Sequence, residues 1–418
     1  MHPDAEPRPA APIAPDLVLL PSSASLDASE APAHLGGPTV LGLDLLQRTV
    51  MAARRAGYGR VFFLAQDRTA PPGTIAITDW GSLADALLPY RATSLVIAPA
   101  TVLSETAWLN KLRTMPIEPG AWAATGQGVI VLAPTAIPAA LAVLRTEGEP
   151  YTIAAVQQQL KTRFGLPRSI PIEIDPVIVT TPKDARLAER RLLRSLVKET
   201  DGFMARHVER PISLQITRQL ALTAIKPTQI TMVSMAIGLC GALFFLSPLW
   251  SLQTVGALLF LLHSIVDGCD GELARLKFQE SRYGGILDFW TDNIVHVAVF
   301  GCMAVGWVLS SAAAWPLLLG AAAILGTLGS AGFVYWRQMR SRDGSFTSVS
   351  TAPDDPLARL LDAASRRDFI YLVIILALFG KSSWFLILAS VGAPAYFFLL
   401  LFLAARERAQ RRPAKSEA

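Results

Sequence analysis

Four aspartates stand where a chain buried in lipid should carry none. Asp267 and Asp270 fall near the end of one long apolar run, and Asp288 and Asp292 near the start of the next. On a helix, Asp267, Asp270, Gly271 and Ala274 are spaced i, i+3, i+4 and i+7, so two carboxylates and two very small residues share one face. Gly284, Asp288 and Asp292 are four apart and share a face of the following helix. The short connection between them brings the two faces together near one membrane surface. At a rise of ~1.5 Å per residue, Asp267 and Asp292 lie only about 12 Å inside their helix ends, within reach of a water-soluble group.

Carboxylates at that depth are costly unless something positive neutralises them, and almost no cation lies near all four except Arg275. A bound cation solves the problem. All-oxygen ligands select a hard divalent ion, Mg2+ or Mn2+, and such ions usually serve substrate phosphates. Gly271, Ala274 and Gly284 then mark places where a bulky phosphate ester approaches the helix backbone.

The elements that must position these residues are membrane helices. The 418-residue chain is 52% hydrophobic, too apolar for an ordinary soluble protein. The excess begins near residue 226. Six segments have the apolar length to span a bilayer, near 229–246, 252–274, 284–309, 313–336, 368–380 with some extension, and 384–404. Arginines and lysines cluster after the second, fourth and sixth, which by the positive-inside rule makes those loops and both termini cytoplasmic. Ahead of the first span, Ile212, Ile216 and Leu220 form one apolar row of a helix lying in the interface, and Thr228 or Thr231 can cap the span that follows. The net charge of +5 therefore reads as membrane topology and not as a nucleic-acid surface. Cys240, Cys269 and Cys302 have no metal-ligand spacing and read as small buried hydrophobes. Glu272, Lys277 and Glu280 read as loop or interface charges, and His296 as a core histidine one turn beyond Asp292.

The pattern D-x-x-D-G-x-x-A-R-x8-G-x3-D-x3-D, filled at all eight positions from Asp267 to Asp292, resembles the hallmark of the CDP-alcohol phosphotransferase family. The likeness runs from about residue 195 to 405 and includes Pro227-x-x-x-Thr231 at the start of the first span. It implies an integral membrane enzyme that moves a phospho-alcohol from a CDP-alcohol to a second alcohol and releases CMP. Asp267, Asp270, Asp288 and Asp292 are then implied metal ligands, with Asp292 also the base that takes the acceptor's proton. Asp267, Gly271, Ala274, Arg275 and Gly284 match positions that hold the cytidine diphosphate. The segments 210–218 and 366–372 are similar to the branch making di-inositol phosphate phosphate, where Arg366 and Arg367 could grip a phosphate on the acceptor. The donor is then CDP-diacylglycerol or CDP-inositol, the acceptor an alcohol such as inositol phosphate, and the assembly a homodimer among membrane lipids.

The first half reads separately. Short apolar runs at 17–20, 60–65, 74–78, 94–98 and 128–133 alternate with helical stretches near 42–56, 81–89, 104–114 and 136–146, the signature of an α/β sheet domain. It resembles the nucleotidyltransferases of sugar and alcohol phosphates, a Rossmann-like fold. Two of that family's catalytic elements are eroded: Pro21–Asp27 has no glycine or cation for a nucleotide, and Ala100 stands where a metal-binding aspartate belongs. The organisation expected is a tail over 1–15, an inactive nucleotidyltransferase-like domain over 16–181, a basic linker and interfacial helix over 182–226, a six-helix phosphotransferase domain over 227–406, and a basic tail over 407–418. With no signal peptide in 1–15, the first half is expected in the cytosol and the helices in the cell membrane. Competing readings are a bifunctional cytidylyltransferase/phosphotransferase and a divalent-cation transporter, against which the one-sided clustering of the carboxylates stands.

Overall fold

The computed structural model describes residues 14–21, 38–64, 70–87, 94–126, 128–146, 152–170, 177–198, 201–340 and 369–411. The chain divides into two units, Met1–Leu192 and Leu193–Ala418.

The apolar runs of the first unit form a seven-stranded sheet. Asp16–Leu20 (β1) and Leu95–Pro99 (β6) are buried at every position, as strands covered on both faces are. β1 lies between β6 and Val61–Leu64 (β4), parallel to both, and β4 pairs in parallel with Ile75–Ile77 (β5). Beyond β6 the sheet turns mixed: Ile130–Leu132 (β9) is antiparallel to β6 and to Trp122–Ala124 (β8), and Arg168–Ser169 (β10) closes the edge. Three of the helices come where alternation predicts them, Trp80–Leu87, Thr106–Thr114 and Ile137–Thr146. The first, Leu45–Arg55, begins later than expected because Leu43–Asp44 is a strand, and the Asp44 carboxylate caps the helix by accepting from the Leu46 and Gln47 N–H groups. The strands β8 and β10 and the helix Ile153–Phe164 were not expected. Strands of three and two residues are too short to show a period. Helix Pro182–Ser195 occupies the start of the segment read as a linker, where Arg191 pairs with Glu105 at 2.8 Å.

Among the described residues of the second unit, five helices are long and apolar enough to cross a membrane: Pro227–Phe244, Trp250–Leu276, Arg282–Ser311, Pro316–Arg340 and Ser382–Arg411. They carry the polytopic part of the chain. Residues 368–380, expected as a further span, contribute a described helix of ten residues, Phe369–Leu378, shorter than the roughly 20 that a crossing needs. The Pro227–Phe244 and Trp250–Leu276 helices meet backbone to backbone at Gly241 and Gly256. A Cβ on Gly256 would lie 2.7 Å from the Gly241 carbonyl oxygen, so only glycine permits that approach. This contact fixes the helix that bears the first two aspartates.

The helix expected ahead of the first span forms over Arg210–Ala221, following a π-helical turn over Ala205–Glu209. Its expected apolar row is the outward one, with Ile212 45% exposed, while Ser213, Thr217 and Ala221 make the buried row. The inward face of this helix is thus small and polar.

Candidate active site

The two motif helices bring three of the four aspartates together. One carboxylate oxygen each from Asp267, Asp270 and Asp288 lies within 4.8 Å of the others, a spacing that can hold a metal ion. Asp267 and Asp270 are 3% and 7% exposed, and Asp288 is half-buried. Two hydroxyls of the preceding helix brace them: Thr231 Oγ1 donates to Asp270 Oδ2, and Ser234 Oγ lies 3.5 Å from Asp267 Oδ1. Three convergent carboxylates fit a hard divalent ion better than they fit one another.

Asp292 is not in that group. It sits one turn deeper between two imidazoles, with His263 Nε2 at 3.5 Å from Oδ1 and His296 Nδ1 at 3.9 Å from Oδ2. The His263 ring is 1% exposed, and its Nδ1–H donates to the Ser234 carbonyl at 2.9 Å, which leaves Nε2 turned to Asp292 without a hydrogen bond. His296, on the same row as Asp288 and Asp292, was expected chiefly as a core histidine, with a role in the site as the alternative. Its ring also meets Phe260 edge to face and lies tilted against Phe369, so it belongs both to the core and to the surroundings of Asp292.

A cleft of about 460 Å³ opens beside the carboxylates. Gly271, Ala274, Arg275 and Gly284 line it with Asp270 and Asp288, so four of the five positions expected to hold a nucleotide share one cavity with two of the metal-site aspartates. Its outer wall adds Lys226, Thr231 and Ser281, which sequence reasoning had not assigned to the site. Ser281 also caps the third-span helix by accepting from the Gly284 N–H at 3.0 Å. Asp267 and Asp292 lie deeper, outside the lining of that cleft. Arg366 and Arg367 lie outside the described residues.

Glu272, read as a loop or interface charge, is neither: it is fully buried. Its Oε1 accepts from Arg210 Nη1 at 2.6 Å and Ser213 Oγ at 2.7 Å, and its Oε2 from Thr217 Oγ1 at 2.6 Å. Arg210 in turn grips both oxygens of Asp201. Burial alone would lower the Arg210 pKa, yet Asp201 and Glu272 hold it above the ordinary arginine value. Burial likewise works to raise the Asp201 carboxyl, but its hydrogen bonds from Arg210 and from the Lys198 N–H bring it below the usual carboxylate range.

Apolar helices long enough to cross a membrane, three clustered carboxylates and a cleft with glycine walls define a polytopic helical domain with a group of side chains that could hold a metal ion. The family model described as CDP-alcohol phosphatidyltransferase matches residues 224–392, so the chain carries a domain of that family. A bifunctional IPC transferase and DIPP synthase of Thermococcus kodakarensis is 39% identical over 127 residues, 30% of this chain and 28% of that protein. The protein of that same description from Rubrobacter xylanophilus is 37% identical over 147 residues, 34% of this chain and 33% of that one. The chain thus spans about a third or less of the length of these curated relatives. Among solved structures, the phosphatidylinositol phosphate synthase of Mycobacterium tuberculosis with CDP-DAG bound aligns with a TM-score of 0.32 at 19% identity, over 46% of this chain and 94% of that one.

Proposed function

We propose that the second unit is a CDP-alcohol phosphotransferase, and the observation that carries this reading is the three-carboxylate group set beside a glycine-walled cleft. Asp267, Asp270 and Asp288 would hold Mg2+ or Mn2+, which when bound offsets negative charge on the diphosphate. Gly271, Ala274 and Gly284 let the donor's diphosphate lie close to helix backbone, and the Arg275 guanidinium pairs with it. The acceptor hydroxyl oxygen forms a bond to the phosphorus that carries the donor alcohol. The bond from that phosphorus to the bridging oxygen breaks, and CMP departs with the oxygen. Asp292 takes the hydroxyl proton. Its place outside the three-carboxylate group supports that role, although it could also join the metal set.

The donor is CDP-diacylglycerol or CDP-inositol, and the acceptor an alcohol such as inositol phosphate, with Arg366 and Arg367 as its phosphate grip. The names of the curated relatives favour the inositol branch. The first unit is read as a nucleotidyltransferase-like domain without transfer activity, since Ala100 closes β6 where a metal-binding carboxylate would be needed. The reading further takes the segment around Phe369–Leu378 as a sixth span, the active-site mouth and both termini as cytoplasmic at the cell membrane, and the assembly as a homodimer through membrane helices.

The test is CMP release by the purified chain in detergent with Mn2+, across both donors and with inositol phosphate, glycerol phosphate, inositol or serine as acceptor. Release with one pair, lost in Asp292→Asn, supports the reading. Metal binding without CMP release from any pair would instead favour a divalent-cation transporter.

A further inference from the structure

The helix Arg210–Ala221 is pinned to the helix pair that carries the site. At its start the Arg210 guanidinium is used on three nitrogens: Nε and Nη2 donate to Asp201 at 2.9 and 3.0 Å, and Nη1 to Glu272 at 2.6 Å. Ser213 and Thr217, one and two turns along, donate to the same Glu272 carboxylate. Just past its end, Lys277 Nζ donates to the Thr223 carbonyl at 2.5 Å. Gly268 lies under the clasp, since a Cβ there would stand 3.6 Å from Arg210 Nη1.

Glu272 follows Gly271 and precedes Ala274 by two residues. A single turn of the Trp250–Leu276 helix therefore has one side in the cleft and the other held by Arg210, Ser213 and Thr217. None of these three, nor Glu272 itself, lines the cleft. Stability alone does not call for such an arrangement, because a buried ion pair is often no better than apolar side chains of similar volume. What the ion pair does provide is directional contact that sets both the rotation and the height of one helical turn.

We propose that Arg210, acting through Glu272, is a positioning residue for the donor nucleotide: it fixes the turn that presents Gly271, Ala274 and Arg275 to the diphosphate. This rests on the CDP-alcohol reading above. The fork of the guanidinium is essential to it, since Asp201 and Glu272 lie on different segments and a single ammonium cannot serve both in this geometry.

The experiment uses the full chain in detergent with Mn2+, measuring CDP binding by calorimetry together with KM and kcat for the donor that supports CMP release. Arg210→Ala should weaken CDP binding and raise the donor KM by roughly 10- to 100-fold, the scale of a displacement on the order of 1 Å, with kcat little changed. Arg210→Lys should recover part of the affinity through Glu272. Glu272→Gln, which keeps the side-chain shape, should move KM in the same direction and carries the test if Arg210→Ala does not fold. A clasp that is merely structural would lower melting temperature or yield and leave the CDP affinity and KM of the folded variants at wild-type values, and that result overturns the proposal. If the wild type neither binds CDP nor releases CMP, the donor reading fails and the positioning role fails with it. If the wild type does both and the variants match it, the positioning role alone fails.

Discussion

Replacing Thr231 by valine removes one hydroxyl and leaves the side-chain shape nearly unchanged. Thr231 is 2% exposed, and Oγ1 lies near both the Pro227 carbonyl and the Asp270 carboxylate. It has one proton to give. The ionised acceptor takes it, because a charge-assisted hydrogen bond is about twice as strong as a neutral one. A hydrogen bond to a charged group contributes about 1.5–3 kcal/mol, and at about 1.4 kcal/mol per decade its loss weakens metal binding about 10- to 150-fold. Thr231 also borders the cleft, so water can replace part of the lost bond. That places the expected effect at the low end, about 10- to 30-fold. The assay is CMP release at saturating substrates while Mn2+ is titrated. The half-activating Mn2+ concentration should rise by that factor, with the rate recovering when Mn2+ is saturating. An unchanged Mn2+ dependence with a raised donor KM would refute the reasoning, since Thr231 would then serve the nucleotide and not the metal ligand.

Gly238→Ala should damage turnover from outside the cleft. A Cβ there would meet Val295 Cγ1 at 2.6 Å and His263 Cγ at 3.0 Å, both neighbours of Asp292, so overpacking of about 1–3 kcal/mol should lower the melting temperature and CMP release together. Asp201→Asn should cost stability in a pH-dependent way. The Asp201 carboxyl is held below its usual range, so its contribution is present above roughly pH 4 and is lost as pH falls through the lower folded value. The gap in melting temperature between wild type and variant should therefore be full at pH 7 and shrink on acidification, as followed by intrinsic fluorescence. A gap independent of pH would remove the ionised carboxylate from the account.

The spacing of the aspartates could be read in the sequence because helical periodicity turns intervals of three and four into a shared face. That spacing puts all four aspartates on facing helices, and the structure gathers three of them, Asp267, Asp270 and Asp288, into one group. Asp292 follows the same spacing, but the surroundings that set it apart do not. His263 stands one turn before Asp267 on the same face, a signal that was available and passed over in an apolar run. Glu272 gave a weaker signal. Its partner Arg210 lies 62 residues earlier, and no local pattern tells a buried carboxylate with a distant cation from a charge at a helix end. Ser213 and Thr217 hid behind Ile212 and Ile216, because an apolar row ordinarily marks the packed face of a helix, whereas here the small polar row packs. In the first unit the long buried strands declared themselves, whereas β8 and β10 are set by pairing with distant neighbours and have no period of their own.

The described residues of the site, from Asp201 to His296, are consecutive in the order of synthesis. Their contacts join helices of one continuous stretch of the chain, with Arg210 and Glu272 62 residues apart. A ribosome that has just finished Ser311 has already produced all of these side chains, while Pro316–Arg340, Phe369–Leu378 and Ser382–Arg411 remain to be made. Nascent chains of increasing length, probed for cysteine accessibility along the Trp250–Leu276 helix, would show the carboxylate group maturing before the later helices enclose it.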